Sequence, residues 1–316
     1  MTPSQPSPLA EVKAPTSIIS NGTALSPSQQ FRQASTTSTT PRPDFHPKSK
    51  MPPSTRDASP NPATLHLPRI LCLHGGGVNS LIFKSQLRSF LNHEKLASRY
   101  RFVFVDAPFE CAEGVGVYPV YKDWGPFKRW SRWLESHEKV AIEEARELIW
   151  DAVLKGMEAD DDLGADGEWD IVLGFSQGAK VACSLLYEQC LSRNNGEESR
   201  TNFKMGIIFA GRAPFLALSQ ESEGYKWMQS AGGIADGVDL EAIDERPDLR
   251  LSVPTLHVHG LKDDGLKLHR RAVEGYCAPG TAEVVEWDGP HRLPIKSMDV
   301  EQILGKWMEM GEEYGI

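Results

Sequence analysis

The chain has 316 residues, a formal net charge of −9 and five cysteines, which allows one large domain or two small ones. The acidic balance argues against nucleic acid or an anionic membrane surface as a partner, and no uninterrupted apolar run reaches spanning length, which excludes a transmembrane helix. Cysteines odd in number and without C-x-x-C spacing speak for a reducing, cytoplasmic setting and against a disulfide frame or zinc site.

Residues 1–66 are rich in Ser, Thr, Pro and Gln, as in SPSQQFRQASTTSTTPRPDFHPKSKMPPSTRDASPNP, and their apolar residues follow no period. Such a segment cannot bury enough apolar surface to offset the entropy of ordering, so a disordered tail over 1–66 and a folded domain over 67–316 are expected. The start of the tail has no apolar h-region, few arginines and an early Glu11, which argues against a secretory signal and leaves a mitochondrial transit peptide as the lesser alternative. Asn21-Gly22-Thr23 is then a chance sequon. The tail carries six Lys/Arg against three Asp/Glu, which concentrates about −12 on the remainder.

From Pro68 onward strands and helices alternate. The pattern predicts a strand at 69–73 (RILCL), a helix at about 80–98, a strand at 101–105 (RFVFV) and then a long aromatic-rich loop. A helix is predicted at about 137–157, where Val140, Ala141, Ala145, Leu148, Ile149, Ala152 and Val153 form one stripe. After an acidic connector come a strand at 170–174, a helix, a strand at 204–210 and an irregular stretch at 211–250. A strand at 254–259, a helix near 266–277, a strand at 282–287 and a helix near 297–311 complete the chain. This alternation predicts an α/β fold, a mainly parallel sheet with helices on both faces, whose ligands bind beyond the carboxyl ends of the strands.

The first strand ends LCLHGGGVNS. Gly75-x-Gly77 lacks the third glycine of a dinucleotide fingerprint, because Ser80 stands there. The turn suits one donor of an oxyanion hole better, Gly76 with Gly75 as the alternative, and His74 reads as a structural hydrogen-bonding residue. Within the aromatic loop, Tyr118, Tyr121, Trp124, Phe127, Trp130 and Trp133 crowd a short span. They are either ordinary packing or the wall of an acyl pocket, to which Tyr121, Trp124 and Trp130 are assigned. Lys122, Lys128, Arg129 and Arg132 interleave with them and read as snorkelling surface charges, the alternative being contacts to a phosphopantetheine arm or an acidic carrier domain.

Gly174-Phe175-Ser176-Gln177-Gly178 matches G-x-S-x-G between the strand at 170–174 and the helix after it. That context is the one a nucleophile elbow requires, the glycines permitting a tight turn that lifts the serine Oγ clear of the sheet. Gln177, following the nucleophile, supplies the second oxyanion donor. PTLHVHGLKDDGL offers Asp263 and Asp264 after a strand, and VVEWDGPHRLP presents His291 after the next. The order Ser176, Asp263, His291 is that of an α/β-hydrolase triad, in which a neutral imidazole takes and returns the serine proton and a carboxylate fixes its tautomer. Asp263 is preferred for its Gly-x-x-Asp spacing and Asp264 stays open. His257 and His259 alternate on one strand face, but with Asp263 they lack a third-ligand pattern; strand histidines satisfied by their neighbours are expected, with no metal and no cofactor.

With those residues in place, the chain resembles the fungal FSH family of serine hydrolases. The resemblance covers roughly 67–311 and rests on ILCLHGGGVNS, FVFVDAP, GPFKRW, IVLGFSQGA, HVHGLKDD and GPHRLP, in that order. Gly77 departs from the family pattern, which often has a polar or aromatic residue after the HG pair. The resemblance implies an α/β-hydrolase whose triad falls on Ser176, Asp263 and His291. It also implies cleavage of an acyl ester or thioester, since members include esterases and the thioesterases that release chains from fungal polyketide synthases. An acyl carrier domain would then be a partner. An acyltransferase with the same triad and an inactive binding scaffold are the alternatives.

Overall fold

A computed structural model describes residues 61–316. Most of the expected tail therefore lies outside the described residues. Residues 61–66 do not hang free: the Asn61 side chain caps a 3-10 turn at Pro62–Thr64, and the Leu65 carbonyl accepts bonds from Asp166 and Gly167.

Strand β1 (Arg69–Leu73) leads to three short helices, α1 (Ser80–Gln86), α2 (Arg88–Leu91) and α3 (Glu94–Ala97), where one helix was expected. The run breaks at Leu87 and again at Asn92-His93, where the His93 side chain caps α3. Next come β2 (Arg101–Val105), a two-stranded antiparallel ribbon of β3 (Phe109–Cys111) and β4 (Phe127–Arg129), and α4 (Ile142–Asp161). Helix α4 begins later than its apolar stripe suggests. Residue 141 is extended, and Gly232 lies so close to the Val140 carbonyl that a Cβ there would sit 2.6 Å from it. Strand β5 (Trp169–Phe175), α5 (Gln177–Asn194) and β6 (Met205–Phe209) follow.

The irregular stretch after β6 holds β7 (Leu216–Ala217), α6 (Gln220–Glu223) and β8 (Gln229–Ser230). It is fastened to polar side chains of α5, since Ser184 Oγ and Glu188 Oε1 accept the N–H groups of Leu216 and Leu218, each at 2.8 Å. Strand β9 (Thr255–Gly260), α7 (Leu266–Arg271) with a π turn at Ala272–Tyr276, β10 (Ala282–Trp287) and α8 (Ser297–Glu313) close the chain.

The main sheet has six strands in the order β10-β9-β6-β5-β1-β2, all parallel. One apolar layer packs α4 and α5 against it and the other packs α1, α2 and α8. The expected α/β-hydrolase architecture is met. Strand order reverses between β1 and β5, so the crevice beyond their carboxyl ends is the natural ligand position. No helix among the described residues is long and apolar enough to cross a membrane.

Several aromatics of the long loop turn inward, whereas Tyr118 is exposed. Trp130 has no exposed surface and donates its Nε1–H to the His74 carbonyl at 2.9 Å. Tyr121 and Trp124 pack with Val78, Ile82 and Val117 over α1, and Asn79 holds the Trp124 carbonyl at 2.6 Å while capping Ile82. Assigning Trp130 to a pocket wall therefore needs correction: a fully enclosed indole has no face left for substrate, and Tyr121 and Trp124 are each only 9% exposed. Arg129 and Arg132 are not surface charges either. Both are buried, Arg129 lying over the Phe109 ring at 4.7 Å.

Truncating Trp130 to Ala is expected to cost about 3–5 kcal/mol in stability. It should depress cleavage of short and long acyl substrates alike, and denaturant midpoints with rates on two chain lengths check this.

Among the described residues four imidazoles are fully buried, and burial holds His74, His259 and His269 at about 4 and His257 at about 3, down from 6.5. The unfolded chain would protonate them near 6.5, so acid favours unfolding. Their contribution is intact above about pH 6.5 and is lost progressively as the pH falls from there toward about 4. Urea midpoints measured from pH 7.5 to 4 should decline steeply across that window.

Candidate active site

Ser176 lies at the joint of β5 and α5 with φ 54° and ψ −112°, a left-handed backbone for a residue with a side chain. Its neighbours force it there. A Cβ on Gly174 would come 2.4 Å from Gly178, and one on Gly178 would come 2.1 Å from the Leu73 carbonyl, so helix, turn and β1 touch backbone to backbone. The Ser176 N–H is held by the Phe209 carbonyl of β6 at 2.9 Å.

The Ser176 hydroxyl donates to His291 Nε2 at 2.8 Å, and His291 Nδ1–H donates to Asp263 Oδ2 at 2.6 Å. His291 comes from the loop after β10 and Asp263 from the loop after β9. Asp263 is buried and also accepts the Gly265 N–H at 2.8 Å, whereas Asp264 is exposed. Burial pushes the Asp263 carboxyl up, but the His291 hydrogen bond and charge and the Gly265 N–H outweigh it and hold the group below the ordinary carboxylate range. Phe175 stands beside the His291 ring, with centroids 5.2 Å apart.

Across the crevice, the HGGG turn leaves β1. His74 donates from Nδ1 to the Gly75 carbonyl at 2.7 Å and accepts the Ala107 N–H at Nε2 at 2.9 Å, so both nitrogens are committed to structure. Gly75 is buried and the Gly77 N–H is bound to the Lys128 carbonyl at 2.9 Å, which leaves Gly76, partly exposed, as the open position of the turn. The third glycine has its own reason. Gly77 has φ 75°, and a Cβ there would lie 2.4 Å from Gly114, so the turn needs glycine where it meets the aromatic loop. Gln177 starts α5 and fixes that loop through its side chain, accepting the Trp130 N–H at 2.6 Å and donating to the Ser131 carbonyl at 3.0 Å.

Arg212 and His269 escaped the sequence reading, and Trp133 was read only as one of the loop's crowded aromatics. Trp133 covers Gly76, its ring 3.1 Å from where a Cβ would be. Arg212, half-buried after β6, makes no hydrogen bond or ion pair among the described residues; burial lowers its pKa, the Asp263 charge opposing in part. His269, on α7, has its Nε2 3.9 Å from Asp263 Oδ2. A loop arginine and a mid-helix histidine give no periodic or motif signal in a single sequence.

The histidines of β9 also differ from expectation. They are not fully satisfied by hydrogen bonds: His257 uses Nε2 alone, toward Thr255 at 3.0 Å and Cys277 at 3.6 Å, and neither nitrogen of His259 has a hydrogen-bond partner among the described residues, Glu286 Oε1 lying 3.9 Å from its Nδ1. Among the described residues a set able to offer ligand atoms to a metal is Asp263, His269 and His291, not the pairing of His257 and His259 with Asp263 that the sequence raises and sets aside.

Residues 64–303 match the family described as "Serine hydrolase (FSH1)". The chain is 43% identical over 258 residues to esterase claE of Penicillium crustosum, covering 80% of this chain and 96% of that protein. It is 41% identical to esterase dbaE of Emericella nidulans, covering 80% and 94%, and 40% identical to esterase citA of Monascus ruber, covering 80% and 95%. A match of that extent, on a parallel sheet with a serine at the elbow, makes this chain a member of the FSH1 serine hydrolase family.

Proposed function

We propose that this serine hydrolase is an esterase or thioesterase that acts through Ser176, His291 and Asp263 and releases a polyketide-type acyl chain in the cytoplasm. The observation that carries the catalytic part is the unbroken relay of short bonds, 2.8 Å from serine to imidazole and 2.6 Å from imidazole to carboxylate. The fungal esterases at about 40% identity support an ester bond as target, and the thioester alternative rests on the family resemblance. The acyl chain, and delivery by an acyl carrier domain, rest on the family resemblance.

Ser176 Oγ attacks the acyl carbonyl carbon as its proton passes to His291 Nε2. Asp263 holds the imidazole in the Nδ1–H tautomer and stabilises the imidazolium. The carbonyl electrons move onto oxygen, where the N–H groups of Gly76 and Gln177 receive the charge; one such donor is worth about 10²–10³ in rate. Collapse expels the alcohol or thiol, which takes the proton from His291. Water, deprotonated by the same nitrogen, then attacks the acyl-serine and frees the acid.

Ser176→Ala is expected to abolish hydrolysis and fluorophosphonate labelling while leaving the melting temperature close to the parent's. Asp263→Asn should lower kcat by about 10⁴, and Asp264→Asn should leave it within a few fold. Persistent turnover in Ser176→Ala, or a larger loss in Asp264→Asn than in Asp263→Asn, would refute the assignment. Product analysis with an acyl thioester in the presence of added alcohols or amines separates hydrolysis from acyl transfer.

A further inference from the structure

We propose that Asp263, His269 and His291 form a reversible site for a divalent transition-metal ion, zinc above all, and that its occupancy switches the hydrolase off. One ligand atom from each residue lies within 4.8 Å of the other two. Asp263 Oδ2 is the hub, 2.6 Å from His291 Nδ1 and 3.9 Å from His269 Nε2. His269 has no exposed surface, and neither of its nitrogens has a hydrogen-bond partner among the described residues. A buried polar atom without a partner is costly, and a metal ion would satisfy this one.

The local backbone leaves room. A Cβ on Gly265 would sit 3.0 Å from His269 Nε2 and 3.2 Å from Asp263 Oδ1, so this glycine keeps the space between the two side chains clear. Two imidazole nitrogens and one carboxylate oxygen suit zinc, cobalt, nickel or copper better than magnesium or calcium, which prefer sets made of oxygen. Zinc bonds of about 2.0 Å place tetrahedral ligand atoms about 3.3 Å apart. His291 must therefore withdraw slightly from Asp263 while His269 draws in. The His291 side chain can move, being 45% exposed on a loop, and a fourth position stays open to water on its side.

The consequence for catalysis follows from the tautomer. In the free enzyme the imidazole proton is on Nδ1, and Nε2 carries the lone pair that accepts the serine proton. A metal on Nδ1 takes the lone pair of that atom, so the single proton of the neutral ring moves to Nε2 and faces Ser176. The ring can no longer act as base, and no proton is gained or lost overall. The effect on turnover rests on the reading of His291 as that base; the binding of the ion does not.

Zinc chloride is expected to inhibit hydrolysis of a small nitrophenyl ester by the full-length enzyme, and a chelator should restore the rate. His269→Gln and His269→Leu should keep the metal-free rate within a few fold. Their inhibition constant should rise by at least the roughly 10–100-fold seen when a metal's outer partner is removed. Cobalt added to Ser176→Ala should give the visible absorption of a tetrahedral nitrogen–oxygen site. These bands should vanish in His291→Ala, a comparison that decides the matter even if His269 variants fail to fold. Equal zinc sensitivity in well-folded His269 variants, or no cobalt absorption, would overturn the site. Full activity in Ser176→Ala would instead overturn the catalytic reading and leave the cobalt result standing.

Discussion

The contact of Gly178 with the Leu73 carbonyl is the constraint on which the rest of this molecule depends. With a Cβ there only 2.1 Å from that oxygen, α5 meets the end of β1 backbone to backbone. Such an approach puts the start of a helix, and its unpaired N–H groups, at the mouth of the crevice where strand order reverses. It also leaves the chain between β5 and α5 no room for ordinary backbone angles. The cost of holding Ser176 at φ 54° is about 1–3 kcal/mol, offset by the packing of a helix with most of its residues buried.

Around that joint the long aromatic loop acts as scaffolding. Gln177 ties the loop to the elbow, Trp130 ties it to His74, and Asn79 ties it to α1. One insertion is thus fastened by three separate hydrogen bonds to three neighbours, the elbow, the HGGG turn and the start of α1. Backbone donors can stabilise developing charge only if they are already in place when it appears, because reorienting them would cost the energy they provide. The enclosed aromatics and the buried Arg129 and Arg132 supply that rigidity.

Much of this was readable in the chain, and the reasons are physical. Strands such as Ile70–Leu73 and Ile171–Leu173 are buried on both faces, so they appear as continuous apolar runs. The G-x-S-x-G motif is legible because only glycine survives the contacts at 174 and 178. Burial of Asp263 and exposure of Asp264 could not be read, since adjacent identical side chains differ only through the turn that carries them. The aromatic loop misled because an indole in a core and an indole in a cleft look alike as letters. The cluster around His269 was hidden for another reason: Asp263 and His269 stand six residues apart in the segment after β9 without a recognisable ligand spacing, and His291 joins them from the loop after β10 because the two strands are neighbours in the sheet. The breaks near Leu87 and Asn92 were equally silent, because neither position carries Pro or Gly.

The polar row along α5 has a consequence for how such enzymes can diversify. Ser184 and Glu188 hold the backbone of the stretch after β6, while Gln177 on the same helix holds the loop before α4. Two segments far apart in the chain therefore share one rod as their ruler. Recombination that swaps either loop alone would leave a carboxylate, a hydroxyl or an amide stranded in the interior. The inheritable module is thus the helix with both of its dependants, and lineages should exchange these three pieces together or leave them in place.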